Sequence, residues 1–84
     1  MTDTYSETKI QLKYKDNIIA TAIQKAIIPD NIGIPNGIKI RTYVEQNVLR
    51  IEAYSNRNIG SLVSTLDDLL SCIQAAEKSL EDLP

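Results

Sequence analysis

The chain has 84 residues, a formal net charge of −2 and no histidine, and 43% of its residues are hydrophobic. This length allows a single domain over residues 1–84, which would bury about 60% of its unfolded surface. The lack of histidine excludes a His-based metal site or catalytic triad, and a single cysteine excludes an internal disulfide. With no signal peptide and no membrane-spanning apolar run, we expect a soluble, cytoplasmic domain that gains stability by associating.

Charge is distributed unevenly along the chain. Residues 1–58 contain eight lysines and arginines against six acidic residues, whereas residues 59–84 contain one lysine against five acidic residues. The first part is therefore mildly basic and the last part acidic. This balance does not favour strong nucleic-acid binding by the chain alone.

A strand followed by an amphipathic helix is predicted for the first third of the chain. Residues 1–7 are polar, and we expect them to be loose. Apolar and polar residues alternate over Lys9–Lys15, which predicts a half-buried strand. Asp16 or Asn17 is typical of a helix N-cap, and the apolar spacing after it predicts a helix over residues 17–28 that the next proline ends.

A β-hairpin is predicted next, after a loop rich in glycine, proline and asparagine. Alternation over residues 38–45 and 48–54 predicts two strands, joined by the short turn Gln46-Asn47. Ser55 or Asn56 is suited to cap the helix that follows.

The strongest helical pattern runs from Ile59 to Leu83. Its apolar residues recur at every third or fourth position, which places them on one face of a helix about 37 Å long. Val63 and Leu70 widen this apolar stripe on one flank. Either the whole stripe belongs to the core, or part of it contacts a partner protein.

The predicted elements together form an α+β fold with the order β-α-β-β-α. The simplest topology is a three-stranded antiparallel sheet of order 1-3-2 with both helices on one face. Both edge strands would then be unprotected, so a second subunit could pair with one of them. We therefore expect a dimer joined through sheet edges.

The sequence offers little that could support catalysis. The adjacent carboxylates Asp67-Asp68 and Glu81-Asp82 would point in different directions on a solvated helix surface, and Cys72 has no histidine to activate it. No phosphate loop or dinucleotide fingerprint is present, and Gly33 and Gly37 do not form the GXXG loop of a KH domain. We expect no enzyme activity, no cofactor and no metal site, and we expect Cys72 to be a small packing residue.

One group of side chains is a candidate for RNA contact. On the predicted sheet face opposite the helices, basic residues alternate with Tyr43 and Tyr54, a combination that can bind RNA backbone and stack on bases. The basic residues are Lys9, Lys13, Lys39, Arg41 and Arg50. A solvated surface, weak RNA contact within a larger assembly and burial in a protein interface all remain open for this face.

Three segments carry a family resemblance through their order and spacing. Ala26–Asn31 ends the first helix with a Pro-acidic-Asn sequence, Val44–Ala53 forms the hairpin, and Leu69–Leu80 belongs to the long last helix. Together they resemble the Pcc (CTAG/Pcc) family, the small dimerisation subunit of the archaeal and eukaryotic KEOPS complex. Ile59 and Val63 stand where family members usually carry arginine and asparagine, so either the main subunit or its divergent archaeal paralogue is implied.

The resemblance implies a non-catalytic scaffold role. In KEOPS, a neighbouring subunit with an ATPase fold transfers the threonylcarbamoyl group to adenosine 37 of tRNA. The small subunit packs its two helices against that catalytic subunit, dimerises with itself or a paralogue, and helps to hold tRNA. From helical phase, the predicted partner-facing residues are Ile19, Ile23, Val63, Leu70, Ile73 and Glu77. The alternative function is a stand-alone RNA-binding module that uses the basic sheet face.

Overall fold

The computed structural model describes residues 5–27 and 34–81, which form one sheet and two helices. The strands pair antiparallel in the order β1-β3-β2, as predicted. This arrangement confirms the predicted α+β fold. The elements are β1 (Ser6–Lys13), α1 (Asn17–Ala26), β2 (Ile38–Glu45), β3 (Val48–Ser55) and α2 (Ile59–Glu81).

The first strand and the first helix differ from the predicted boundaries. β1 begins at Ser6, inside the segment expected to be loose, because Ser6 pairs with Ser55 of β3. α1 ends at Ala26, two residues before its predicted end. The proline predicted to end this helix, Pro29, lies outside the described residues.

Side-chain caps define where both helices begin. Asp16 Oδ1 accepts a hydrogen bond from the Ile19 N–H at 2.9 Å, which confirms one of the two predicted caps of α1. For α2 the predicted caps are wrong, because the capping oxygen is Asn58 Oδ1, which accepts from the Ser61 N–H at 2.9 Å. Ser55, one of the predicted caps, is buried instead.

The central strand β3 is the most deeply buried part of the sheet. Leu49 and Ile51 are fully or almost fully buried beneath both helices. α1 packs on β2 and β3, and α2 packs on β3. The largest core cluster consists of Ile23, Ile27, Leu49, Ile51, Leu69 and Ile73. Cys72 is half-buried and packs against this cluster, as its predicted packing role requires.

The turn before β2 contains a glycine in the left-handed region of backbone conformation, which other residues rarely adopt. Gly37 has φ +88°, and a Cβ atom there would lie 2.5 Å from Asn56 Oδ1. The Asn56 N–H donates to the Gly37 carbonyl at 3.0 Å, and Arg57 Nη1 donates to the Asn36 carbonyl at 3.2 Å. These contacts fix the start of β2 against the junction between β3 and α2.

The last helix is longer than the sheet on which it packs. Each strand has eight residues, or about 26 Å, whereas the 23 residues of α2 span about 35 Å. Within the described part of the chain, neither helix is long and apolar enough to cross a membrane.

Candidate partner-binding surfaces

A groove of about 460 Å³ lies between the two helices. Its lining combines apolar side chains with one tyrosine and one carboxylate. Tyr14, which follows β1, lines the groove together with residues of α1 and α2. The lining residues are Tyr14, Ile19, Ile23, Glu77 and Leu80.

A short hydrogen bond crosses this groove. The Tyr14 hydroxyl donates to Glu77 Oε2 at 2.6 Å. Burial raises the pKa of Tyr14, and the hydrogen bond to the Glu77 carboxylate raises it further. Tyr14 therefore stays protonated into the alkaline range and keeps Glu77 as its acceptor, so the carboxylate is fixed beside the apolar wall.

Apolar side chains also lie exposed along α2. Ile59, Val63 and Leu70 are 58%, 49% and 38% exposed. They are spaced by four and seven residues, and Glu77 follows seven residues later, so all four lie along one helix face. We call Ile59, Val63 and Leu70 the α2 stripe. The groove and the α2 stripe together are called the helix-pair surface. This surface leads from the groove along the length of α2.

The predicted partner-facing residues fall into two groups. Val63 and Leu70 are exposed on the α2 stripe, and Ile19 and Glu77 line the groove at intermediate burial. The side chains of Ile23 and Ile73, however, belong to the core and are 0% and 3% exposed. Ile23 nevertheless lines the groove, whereas Ile73 is covered by the chain itself and offers little surface to a partner.

Sequence reasoning missed two exposed apolar residues and one polar anchor. Ile18 is 79% exposed at the start of α1, and Ile59 is exposed at the start of α2. Helical periodicity places Ile59 on the apolar face of the last helix, but its exposure depends on where α2 begins relative to the sheet. The alternation over Lys9–Lys15 places Tyr14 on the apolar side of the predicted first strand, and nothing in its sequence surroundings points to Glu77, 63 residues away.

The basic residues predicted for RNA contact share the sheet face opposite the helices. Their positions alternate along each strand with the residues that pack under the helices. Lys9, Lys13, Lys39 and Arg41 are exposed, and Arg50 is half-buried. Acidic residues are interleaved with them: Glu52 lies opposite both Lys9 and Arg41, and Arg50 Nε contacts Glu45 Oε1 at 3.1 Å.

Both tyrosines of this face are hydrogen-bonded to its central carboxylate. The Tyr54 hydroxyl donates to Glu52 Oε1 at 2.9 Å, and the Tyr43 hydroxyl donates to Glu52 Oε2 at 3.5 Å. The hydrogen bond to Glu52 raises the pKa of Tyr54. The ring of Tyr54 also stacks on Tyr5, with centroids 6.4 Å apart. We call the sheet face opposite the helices the outer sheet face. On this face, Glu52 and both tyrosines already have hydrogen-bond partners within the chain.

The comparison with known proteins identifies a solved structure with this fold. No protein-family model matches the sequence, and no curated protein sequence matches it. One chain in the crystal structure of the binary complex Gon7-Pcc1 superposes with a TM-score of 0.83 at 18% sequence identity. The match covers 94% of this chain and 96% of that chain. At this identity the likeness establishes the shared fold.

Proposed function

We propose that this protein is a Pcc-like, non-catalytic dimerisation and scaffold subunit of a KEOPS complex. In this role it docks the catalytic ATPase-fold subunit and supports threonylcarbamoyl transfer to adenosine 37 of tRNA. The observation that carries the proposal is the fold match, which spans nearly the whole of both chains. The matched crystal structure is itself that of a complex between two proteins.

The helix-pair surface supports a docking role. The α2 stripe exposes large apolar side chains in a row, and the groove continues it with an apolar wall and a fixed carboxylate. A partner helix could bury these side chains and find a hydrogen-bond acceptor at Glu77. Exposed apolar surface arranged in this way is typical of a protein interface.

Substitution of Leu70 tests the docking surface. Leu70 is 38% exposed, so Leu70→Asp should leave the fold intact while it places a charge in the interface. We expect the affinity for the catalytic subunit to fall at least thirtyfold, which corresponds to about 2 kcal/mol. The affinity is measured by calorimetry with the purified catalytic subunit, and tRNA modification by the reconstituted complex should fall in parallel.

Ser71→Asp provides the matched control, because Ser71 is exposed on the same helix but lies outside the stripe. This control should bind the catalytic subunit as the wild type does. Unchanged binding by a folded Leu70→Asp variant would show that the helix-pair surface is not the docking site.

A further inference from the structure

The Glu77 carboxylate has one hydrogen-bond donor and unused capacity to accept more. A carboxylate has two oxygens and about four acceptor positions. The Tyr14 hydroxyl occupies one position on Oε2, and among the described residues no other group donates to the Glu77 side chain. The ion pair found in this part of the chain joins Arg50 to Glu45. Within residues 5–27 and 34–81, the Glu77 carboxylate therefore has no cationic partner.

The surroundings of Glu77 in the groove are apolar. Glu77 itself is half-buried. Lys78, its neighbour in the sequence, is exposed and projects about 100° around the helix from Glu77. Apart from Tyr14, the rest of the groove lining is aliphatic and comes from both helices: Ile19, Ile23 and Leu80. A cation from outside the chain would thus meet a single carboxylate beside an apolar wall.

A partner helix that covers the helix-pair surface removes water from Glu77. Because Glu77 follows Leu70 by seven residues on the same helix face, a helix docked along the α2 stripe continues over the carboxylate. A carboxylate that loses water without a cationic partner is strongly unfavourable, and the hydrogen bond from Tyr14 offsets only part of this cost. A partner with only apolar side chains at this position would therefore bind poorly.

The groove is complementary to one kind of side chain. Lysine and arginine carry a charged head on an aliphatic stem, so the stem can lie on apolar residues while the head reaches a carboxylate. Ile19 and Leu80 provide the apolar surface, and Glu77 provides the carboxylate. The groove volume of about 460 Å³ leaves room for one such side chain.

The charge of α2 as a whole favours the same partner. From Ile59 to Glu81, the helix contains four acidic residues and one lysine. An acidic helix attracts a basic surface over a longer range than that of a single contact. Overall charge and the chemistry of the groove thus both select a cationic side chain.

We infer that the catalytic subunit presents a lysine or arginine side chain to Glu77, and that this charge pair fixes the register of the docked helix. Leu70 and Glu77 lie about 10.5 Å apart along α2, so the cation should lie about two helical turns from the partner residue that packs on Leu70. The inference rests on the proposed function, because it names the chemistry of the partner at the same surface.

Neutralisation of Glu77 distinguishes a cation from a neutral donor. Glu77→Gln keeps the shape of the side chain and still offers Oε1 to the Tyr14 hydroxyl, so the fold should be retained. We expect the affinity for the purified catalytic subunit, measured by calorimetry at low salt, to fall about tenfold or more. An affinity equal to that of the wild type would show that no cation meets Glu77 and would overturn the inference.

Asp68→Asn is the matched control, because it also removes one negative charge from α2. Asp68 is exposed and lies nine residues before Glu77, which places it half a turn around the helix from the groove. This control should change the affinity by less than about twofold. An equal loss for both variants would mean that only the overall charge of α2 matters, which contradicts a specific charge pair.

A charge swap identifies the partner residue. Glu77→Lys should lower the affinity about a hundredfold, because two cations would then face each other in the interface. The lysines and arginines of the catalytic subunit are changed to glutamate one at a time, and each variant is titrated with the wild-type chain and with Glu77→Lys. One of these changes should weaken binding of the wild type and restore binding of Glu77→Lys. Failure of every change to restore binding would refute the charge pair.

The Leu70→Asp variant separates this inference from the proposed function. A wild-type chain that does not bind the catalytic subunit would refute the scaffold role and the charge pair together. Binding that is disrupted by Leu70→Asp but unaffected by Glu77→Gln would retain the scaffold role and refute the charge pair alone.

Discussion

The helix-pair surface and the outer sheet face differ in the kind of side chain that they expose to water. On the outer sheet face, Glu52 accepts from two tyrosines and lies between Lys9 and Arg41. Polar groups of this kind are also well solvated in water. On the helix-pair surface, the α2 stripe exposes isoleucine, valine and leucine side chains, whose contact with water is unfavourable.

This difference indicates which surface gains more from a partner. Burial of the exposed apolar side chains on α2 would be favourable by about 25 cal/mol per Å². Burial of the outer sheet face would instead require the removal of water from lysine, arginine and glutamate side chains, of which only Arg50 and Glu45 form an ion pair among the described residues. Exposed apolar side chains in a row are therefore a stronger indication of a binding surface than the number of charged residues.

The largest expected effect is the difference in stability loss between substitution of a core residue and of a surface residue on α1. Ile23 is 0% exposed and Ile18 is 79% exposed, although both are isoleucines on the same helix. Ile23→Ala should lower the free energy of unfolding by about 3 kcal/mol, whereas Ile18→Ala should change it by less than about 0.5 kcal/mol. Urea denaturation followed by circular dichroism measures both. Equal losses would mean that Ile18 is buried in solution, for example in an oligomer.

An intermediate effect is expected from the hydrogen bond across the groove. Tyr14→Phe should destabilise the fold by about 1 kcal/mol near neutral pH, because Glu77 loses its donor. The folded state raises the pKa of Tyr14, so its protonated form contributes stability below the ordinary tyrosine pKa of about 10. That contribution is lost as the pH rises further, through the raised pKa of the folded state.

Denaturation of the wild type and of Tyr14→Phe at several pH values tests this linkage. The difference in free energy of unfolding should be constant between about pH 6 and pH 9 and should shrink above about pH 10. A difference that stays constant into strong alkali would show that Tyr14 is not responsible for the pH dependence.

The smallest expected effect concerns RNA. Glu52→Gln removes the central carboxylate of the outer sheet face, and we expect tRNA binding by the isolated protein to rise by no more than about threefold at low salt. Fluorescence anisotropy with labelled tRNA measures this change. A rise of tenfold or more with a steep salt dependence would favour the stand-alone RNA-binding alternative. The variant with Lys39→Glu and Arg41→Glu would then abolish the binding.

Much of the fold follows from periodicity in the sequence. Strict alternation over residues 38–45 and 48–54 gave the hairpin almost to the residue, and the crossover rules gave the strand order. Periodicity does not show that Asn58 caps α2, because Ser55 and Asn56 are equally good capping residues by type.

The candidate site was less accessible to prediction for a physical reason. Helical phase shows which residues share a face, but it does not show how far the neighbouring elements cover that face. Ile73 and Leu70 both lie on the apolar side of α2, yet one is in the core and the other is exposed. The distinction depends on how α2 is rotated over β3, which only the packed structure fixes.

The excess length of α2 over the sheet has a consequence for local stability. The helix is about 9 Å, or six residues, longer than the strands. Near the end of the helix, Leu80 is only half-buried, and the hydrogen bond of Glu77 with Tyr14 is the last side-chain hydrogen bond of α2 among the described residues. The final turn should therefore open at the lowest free energy in the helix and exchange its amide hydrogens first. The same turn should become protected when a partner occupies the groove.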